Sequence, residues 1–256
     1  MHNCGLIRYR WLLQELIQRD LKIKYRRSFL GYVWSILNPL MMMAVLTIVF
    51  SHVFRFDIEN YPVYLLAGQI IFTFFSEATM FAMNSILGGA SLIKKVYLPK
   101  YIFPVSRVLS SFTTMLFSLV ALFIVMLVTR VSLHPTIVLM PLVLLYVLLF
   151  SIGAGLVLSA LVVYFRDIQY LYGVLLTALN YLTPIFYPVG MLPEWLQKMM
   201  VLNPLYDFIT MFRKVMIYGQ WPASSDFLIC TIFSVLAVVL GIFVFKKTER
   251  NFILYI

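Results

Sequence analysis

A carboxylate inside a long apolar run is the chemically most demanding residue in this chain. Glu77 stands in the run from about Tyr61 to Gly88, where Gln69, Thr73, Ser76 and Asn84 share its helical stripe. At membrane depth an ionised side chain costs about 3 kcal/mol even on the gentlest insertion scale, so Glu77 must face protein or water, or be protonated. One role is packing, bonded to neighbouring hydroxyls or a partner subunit; another is lining a polar path. As a general base in a membrane-embedded transferase, it would act on lipid-linked sugars. Two basic groups offer a different chemistry. Lys22, Lys24, Arg26 and Arg27 close the first amphipathic stretch, either as an orientation anchor or as a landing site for an anionic lipid-linked substrate. Ser91 to Arg107 holds Lys94, Lys95, Lys100 and Arg107 with no acid, and Pro99 and Pro104 interrupt a helix across it.

Other chemistries lack their residues. None of the 11 glycines sits in GxxxxGK[ST], so no P-loop binds ATP; His2, His52 and His134 form no HExxH, and no serine lies in GxSxG. Cys4 and Cys230 fall at different depths and give no disulfide or metal framework. The N-terminal stretch carries Arg, Glu and Asp and does not read as a signal peptide. Catalysis is poorly supported.

The elements that must position these groups are membrane spans. Of 256 residues 62% are hydrophobic and 12% charged, the composition of a polytopic all-α integral membrane protein. Residues 1–28 read as an amphipathic interface helix, with Asp20 alone breaking its apolar face. Six spans follow, at 33–54, 61–88, 105–128, 136–164, 169–187 and 226–245. The basic island at 91–104 is a loop between spans two and three. Span three has a small hydroxyl face, and span four carries Ser151, Gly155 and Ser159 at contact spacing. Span five is short and gathers Tyr170, Gly173, Thr177, Asn180, Tyr181, Pro184, Tyr187 and Pro188. Tyr170 and Tyr187 fit an interface belt; the middle of the span reads as a wall touching something other than lipid, as sugars are held by aromatic faces. Residues 189–221 are too interrupted to span and read as two short outer or re-entrant helices, with Asn203 an N-cap, Glu194 and Lys198 paired, and Asp207, Arg213 and Lys214 keeping the second near water.

The net charge of +10 invites a nucleic-acid reading, but the cations gather on one side: fifteen Lys and Arg fall on the inner side of this topology and five on the outer. That bias places both termini in the cytoplasm and makes the charge a topology signal. A six-span chain with no ATP site conducts passively, runs on a gradient or borrows its energy. The halves show no internal repeat, which argues against an inverted-repeat secondary transporter.

Four stretches carry a resemblance. They are Arg27 to Gly31 through Trp34-Ser35-Ile36-Leu37-Asn38-Pro39; Tyr64-Leu65-Leu66-Ala67-Gly68; Leu92-Ile93-Lys94-Lys95 with Leu98-Pro99-Lys100; and Tyr164 to Ile168 followed by Thr183 to Pro188, Leu192-Pro193 and Asn203-Pro204-Leu205. In this order the chain resembles the membrane subunit of ABC-2 type ABC transporters, in particular permeases that export O-antigen, capsule-like polysaccharide or teichoic acid. The resemblance implies a homodimer in the bacterial cytoplasmic membrane, bound to two copies of a nucleotide-binding subunit that carries the ATP and Mg, with no cofactor on this chain. It implies that the coupling helix is Ser91 to Leu98, with Ser91, Leu92, Ile93, Lys94, Lys95, Val96 and Tyr97 at the ATPase. It further implies a channel walled by the first and fifth spans, here Trp34, Asn38, Tyr170, Thr177, Asn180, Tyr181, Pro184 and Tyr187. The resemblance also implies a cargo of polysaccharide on undecaprenyl diphosphate, whose diphosphate suits Lys22, Lys24, Arg26 and Arg27. Export of a small molecule or drug is the alternative within the family.

Overall fold

The computed structural model describes residues 9–25, 30–50, 58, 60–96 and 98–255, and among these all regular structure is helical. Arg26, Arg27, Tyr97 and the end of the first expected span lie outside the described residues. The helices are α1 (Arg10–Tyr25), α2 (Trp34–Val49), α3 (Tyr61–Met83), α4 (Ile102–Val128), α5 (Met140–Tyr164), α6 (Ile168–Leu182), α7 (Glu194–Met200), α8 (Pro204–Met216) and α9 (Ser224–Thr248). Five stretches are long and apolar enough to cross a membrane: Gly31–Val49, Tyr61–Met83, Ile102–Val128, Pro135–Tyr164 and Ser224–Tyr255.

Burial separates centre from edge. Two thirds of the most apolar window of α3 (67%) is covered, against 6% in Gly31–Val49, so α3 is the axis and α2 the rim. Around α3 pack α2, α4, α5 and α8, and α9 lies along α5. The α5–α9 contact depends on glycine. A Cβ on Gly241 would sit 2.6 Å from the Gly153 carbonyl oxygen, and one on Gly153 would run into the Ala237 backbone. Close backbone approach of this kind is how helices associate where lipid offers no hydrophobic drive. Ser151 and Ser159 are fully buried beside it.

Three boundaries differ from the sequence reading, each for a local reason. The second span ends at Met83, not near Gly88; single turns follow at Ser85–Gly88 and Ala90–Ile93, where two adjacent glycines weaken helix propensity. The expected helix over Ser91 to Leu98 is therefore the one turn Ala90–Ile93, extended by hydrogen bonds from Lys94 N to Ala90 O and Val96 N to Leu92 O, both 3.0 Å. Helix α4 begins at Ile102, upstream of the expected 105 and with Pro104 inside its first turn. A proline is tolerated there because its missing N–H would have had no intrahelical partner. The fifth expected span, 169–187, is helical only to Leu182: Thr183 is extended (φ −71°, ψ 131°), as suits the residue before Pro184.

Candidate functional site

Two ion pairs one helical turn apart fasten α1 to the bundle. The Asp20 carboxylate lies 2.8 Å from Arg107 Nη1 on α4, with its side chain 6% exposed. Lys24 Nζ lies 3.0 Å from Glu77 Oε2 on α3, with the two side chains 36% and 38% exposed. The residue that broke the apolar face of α1 and the costliest residue of the second span each have a cation from another element. Glu77 stands six residues before the end of α3, about 9 Å from it at the helical rise, so an interfacial lysine can reach it. Between the pairs and the amphipathic start, Leu13 and Leu16 are buried with Ile102, which makes α1 a packed member of the bundle.

Above Lys24 and Glu77 opens a cavity of about 490 Å³ bounded by α1, α2, α3 and α4. Trp34 and Asn38 line it from α2, Gln69 and Thr73 from α3, and Ser111, Thr114 and Ser118 from α4. Ser118 Oγ donates to the Ser35 carbonyl (3.2 Å), and Gln69 Nε2 donates to Thr73 Oγ1 (3.2 Å). Gln69 Oε1 and Ser111 Oγ are buried without a partner among the described residues. Apolar walls with a few convergent polar groups are what small-ligand sites need, and amides, hydroxyls and one indole suit a hydroxyl-rich guest. A second hollow of about 380 Å³ lies between α3 and α6, lined by Ser76, Glu77, Gly173, Thr177, Asn180 and Tyr181 among others. Glu77 belongs to both.

The residues singled out from the sequence are thus divided. Lys24, Trp34, Asn38 and Glu77 meet in the first cavity, and Thr177, Asn180 and Tyr181 meet Glu77 in the second. Lys22 does not join Lys24: two positions apart on a helix they face different ways, and Lys22 lines a separate shallow groove with Glu15, Gln18 and Arg19. Tyr170 is 78% exposed and lines neither cavity. Pro184 is buried, so it does not share the exposed face of α6. Tyr187 folds back, donating its hydroxyl to the Tyr181 carbonyl (2.6 Å) with that of Leu182 at 3.0 Å, and so satisfies carbonyls at the end of α6.

The basic turn has its own support. Ser91, Lys94, Lys95 and Val96 are exposed, whereas Ile93 is buried among Ile86, Phe103, Leu156, Phe245 and Phe252. Lys100 donates to the Glu249 carbonyl and sits 5.6 Å from the Phe252 ring centroid. The C-terminal turn therefore braces the segment that presents Lys94 and Lys95.

One functional-looking group escaped the sequence reading. Arg213 does not keep α8 near water; it is 5% exposed. Its Nη1 donates to the Pro184 carbonyl (2.9 Å) and its Nη2 to those of Tyr64 (3.1 Å) and Ile185 (3.0 Å), with Cζ 3.5 Å from the Tyr64 ring centroid. The chain after α6 is extended, so its carbonyls need donors from elsewhere. Arg213 serves Pro184 and Ile185, Tyr61 Oη serves Phe186 (2.8 Å), and Tyr64 Oη serves Tyr187 (3.1 Å). Gly68 leaves the room: a Cβ there would be 2.6 Å from Arg213 Nη2. Asn203 caps α8, accepting from Leu205 N (3.1 Å) and donating to Thr183 Oγ1 (2.9 Å). Lys214 pairs with Asp226 (2.7 Å); Glu194 and Lys198 form no ion pair among the described residues. The signal in the sequence was the Tyr64 to Gly68 and Thr183 to Pro188 stretches, which turn out to be two sides of one clamp.

Helices of spanning length, a basic turn braced at one end and a polar cavity reaching into the bundle define a multi-pass membrane protein built around a polar interior. A family model described as ABC-2 type transporter matches residues 12–217. The chain is 30% identical over 251 residues, 96% of each chain, to the O-antigen export system permease protein RfbA of Myxococcus xanthus. It is 27% identical over 243 residues to the protein of the same name from Klebsiella pneumoniae (94% of this chain, 93% of that one). To the polysialic acid transport protein KpsM of Escherichia coli it is 22% identical over 245 residues, 93% of each. This chain belongs to the ABC-2 type transporter membrane family.

Proposed function

We propose that this chain is the channel-forming permease subunit of an ATP-driven exporter that moves a lipid-linked cell-surface polysaccharide, of the O-antigen or capsule kind, across the bacterial cytoplasmic membrane. The observation that carries the reading is the end-to-end similarity to relatives named for O-antigen and polysialic acid export. ATP is hydrolysed on a separate nucleotide-binding subunit. Two copies of that subunit bind a homodimer of this chain, with both termini in the cytoplasm. The exposed turn at Ser91, Lys94, Lys95 and Val96, on its buried Ile93 base, is the contact with the ATPase. ATP-driven closure of the ATPase moves this turn and the start of α4, and through Asp20–Arg107 it moves α1 with them. The substrate's diphosphate is met by Lys24 at the mouth of the cavity, and its sugars follow Trp34, Asn38 and the polar face of α6.

Purifying the tagged chain from its native gene neighbourhood tests the reading. A co-purifying P-loop polypeptide that hydrolyses ATP, and that is lost when Lys94 and Lys95 are changed to Glu, is the expected result. A chain that purifies alone and conducts without ATP overturns it.

A further inference from the structure

We infer that Glu77 is a resident counter-ion: it holds Lys24 at the mouth of the α1–α4 cavity until the diphosphate of a lipid-linked substrate replaces it. The inference rests on the export reading above and names how its binding site is kept closed. Four observations carry it.

The pair is a single 3.0 Å contact between side chains each more than a third exposed, so it is easily exchanged. The helix that bears Lys24 is held independently, by the Asp20–Arg107 pair and the buried Leu13 and Leu16. Lys24 can therefore leave Glu77 without α1 moving, and a flexible four-carbon stem with a compact charge suits such a swing. Among the described residues the rest of the cavity lining is neutral: beyond Lys24 and Glu77 it holds no charged side chain, so an anion entering there meets Lys24 together with its competitor. Finally, Gln69 Oε1 and Ser111 Oγ, both lining residues, have no partner among the described residues, so the cavity offers unmet acceptor and hydroxyl groups to a sugar behind the diphosphate.

The sign of one substitution separates this role from the others open to Glu77. A carboxylate that bonded the substrate's hydroxyls, or acted as a base on it, would weaken binding or turnover when neutralised. A resident counter-ion does the reverse. The test uses the full-length chain with its co-purifying subunits in phosphatidylcholine nanodiscs, titrated with undecaprenyl diphosphate, with inorganic pyrophosphate and with uncharged undecaprenol. A further arm replaces phosphatidylcholine by phosphatidylglycerol. Glu77→Gln is expected to tighten undecaprenyl diphosphate about three- to fivefold, the range a partly exposed ion pair supports, and to leave undecaprenol unchanged. Lys24→Gln weakens it, and in the Lys24→Gln background Glu77→Gln gains less. Pyrophosphate shows the same order of variants at lower affinity.

Unchanged or weaker undecaprenyl diphosphate binding by Glu77→Gln overturns the inference. So does a gain confined to phosphatidylglycerol discs, which would make the pair an ordinary headgroup anchor. Neither result touches the export reading, which stands or falls on the ATPase and on polymer transport.

Discussion

Arg213 and Lys24 are both cations whose side chains reach the same central helix, α3, and they are held in opposite ways. Arg213 is sealed in the bundle, pairs with no carboxylate among the described residues, and spreads its charge over carbonyls of Tyr64, Pro184 and Ile185. Lys24 is more than a third exposed, faces one carboxylate, and stands at an opening. A buried guanidinium that gives donors to carbonyls of the extended segment after α6 is part of the frame, because a backbone without a helical ladder needs partners from elsewhere. A half-solvated lysine with one matched charge contributes little to stability and is free to serve a ligand. The region around Arg213 holds the extended segment after α6 against α3, whereas the region around Lys24 is, on the proposed function, where the substrate enters.

The comparison can be broken most forcefully at Arg213. Arg213→Met, which keeps the bulk and removes the donors, is expected to cost about 3 kcal/mol or more, read as a lower unfolding temperature in detergent and poor membrane yield. Arg213→Lys should recover only part of this, since an ammonium cannot reproduce the planar fork. A smaller loss, about 1–3 kcal/mol, is expected for Gly68→Ala, whose methyl would push on the guanidinium 2.6 Å away. Asp20→Asn leaves Arg107 without its partner and is expected to cost about 1–2 kcal/mol and to loosen α1, seen as faster proteolysis of the first 25 residues. Lys24→Gln should cost less than about 1 kcal/mol in unfolding, with a salt-sensitive remainder, while changing diphosphate affinity. If Lys24→Gln destabilised the fold as much as Arg213→Met, the division between frame and mouth would be wrong.

What could be read in advance follows the range of the forces involved. Spans come from contiguous apolar length, a local property, and five of the expected six appear as helices long enough to cross. The remaining one, the fifth, is cut short by Thr183 preceding Pro184, whose consequence was in the sequence but whose compensation was not, because the donors sit on α3 and α8. Arg213 was misplaced because a cation on a short amphipathic helix ordinarily faces water; its burial depends on Gly68 and on the helix break at Thr183, both distant in sequence. Glu77 and Asp20 were legible as costly residues. Their partners were not, since Lys24 and Arg107 looked like ordinary members of basic clusters. Likewise Trp34 and Asn38 read as channel wall and Lys24 as a headgroup site; the packing of α1 on α4, with Lys24 reaching Glu77 on α3, brings them into one cavity.

The most direct measurement deletes the gene in its own host and follows the polymer. Loss of polysaccharide at the cell surface, with lipid-linked polymer accumulating inside, is the predicted result. Export should return with the wild-type chain and stay absent with a Lys94→Glu, Lys95→Glu variant that still reaches the membrane. Polymer that reaches the surface in normal amount without this chain would contradict the account.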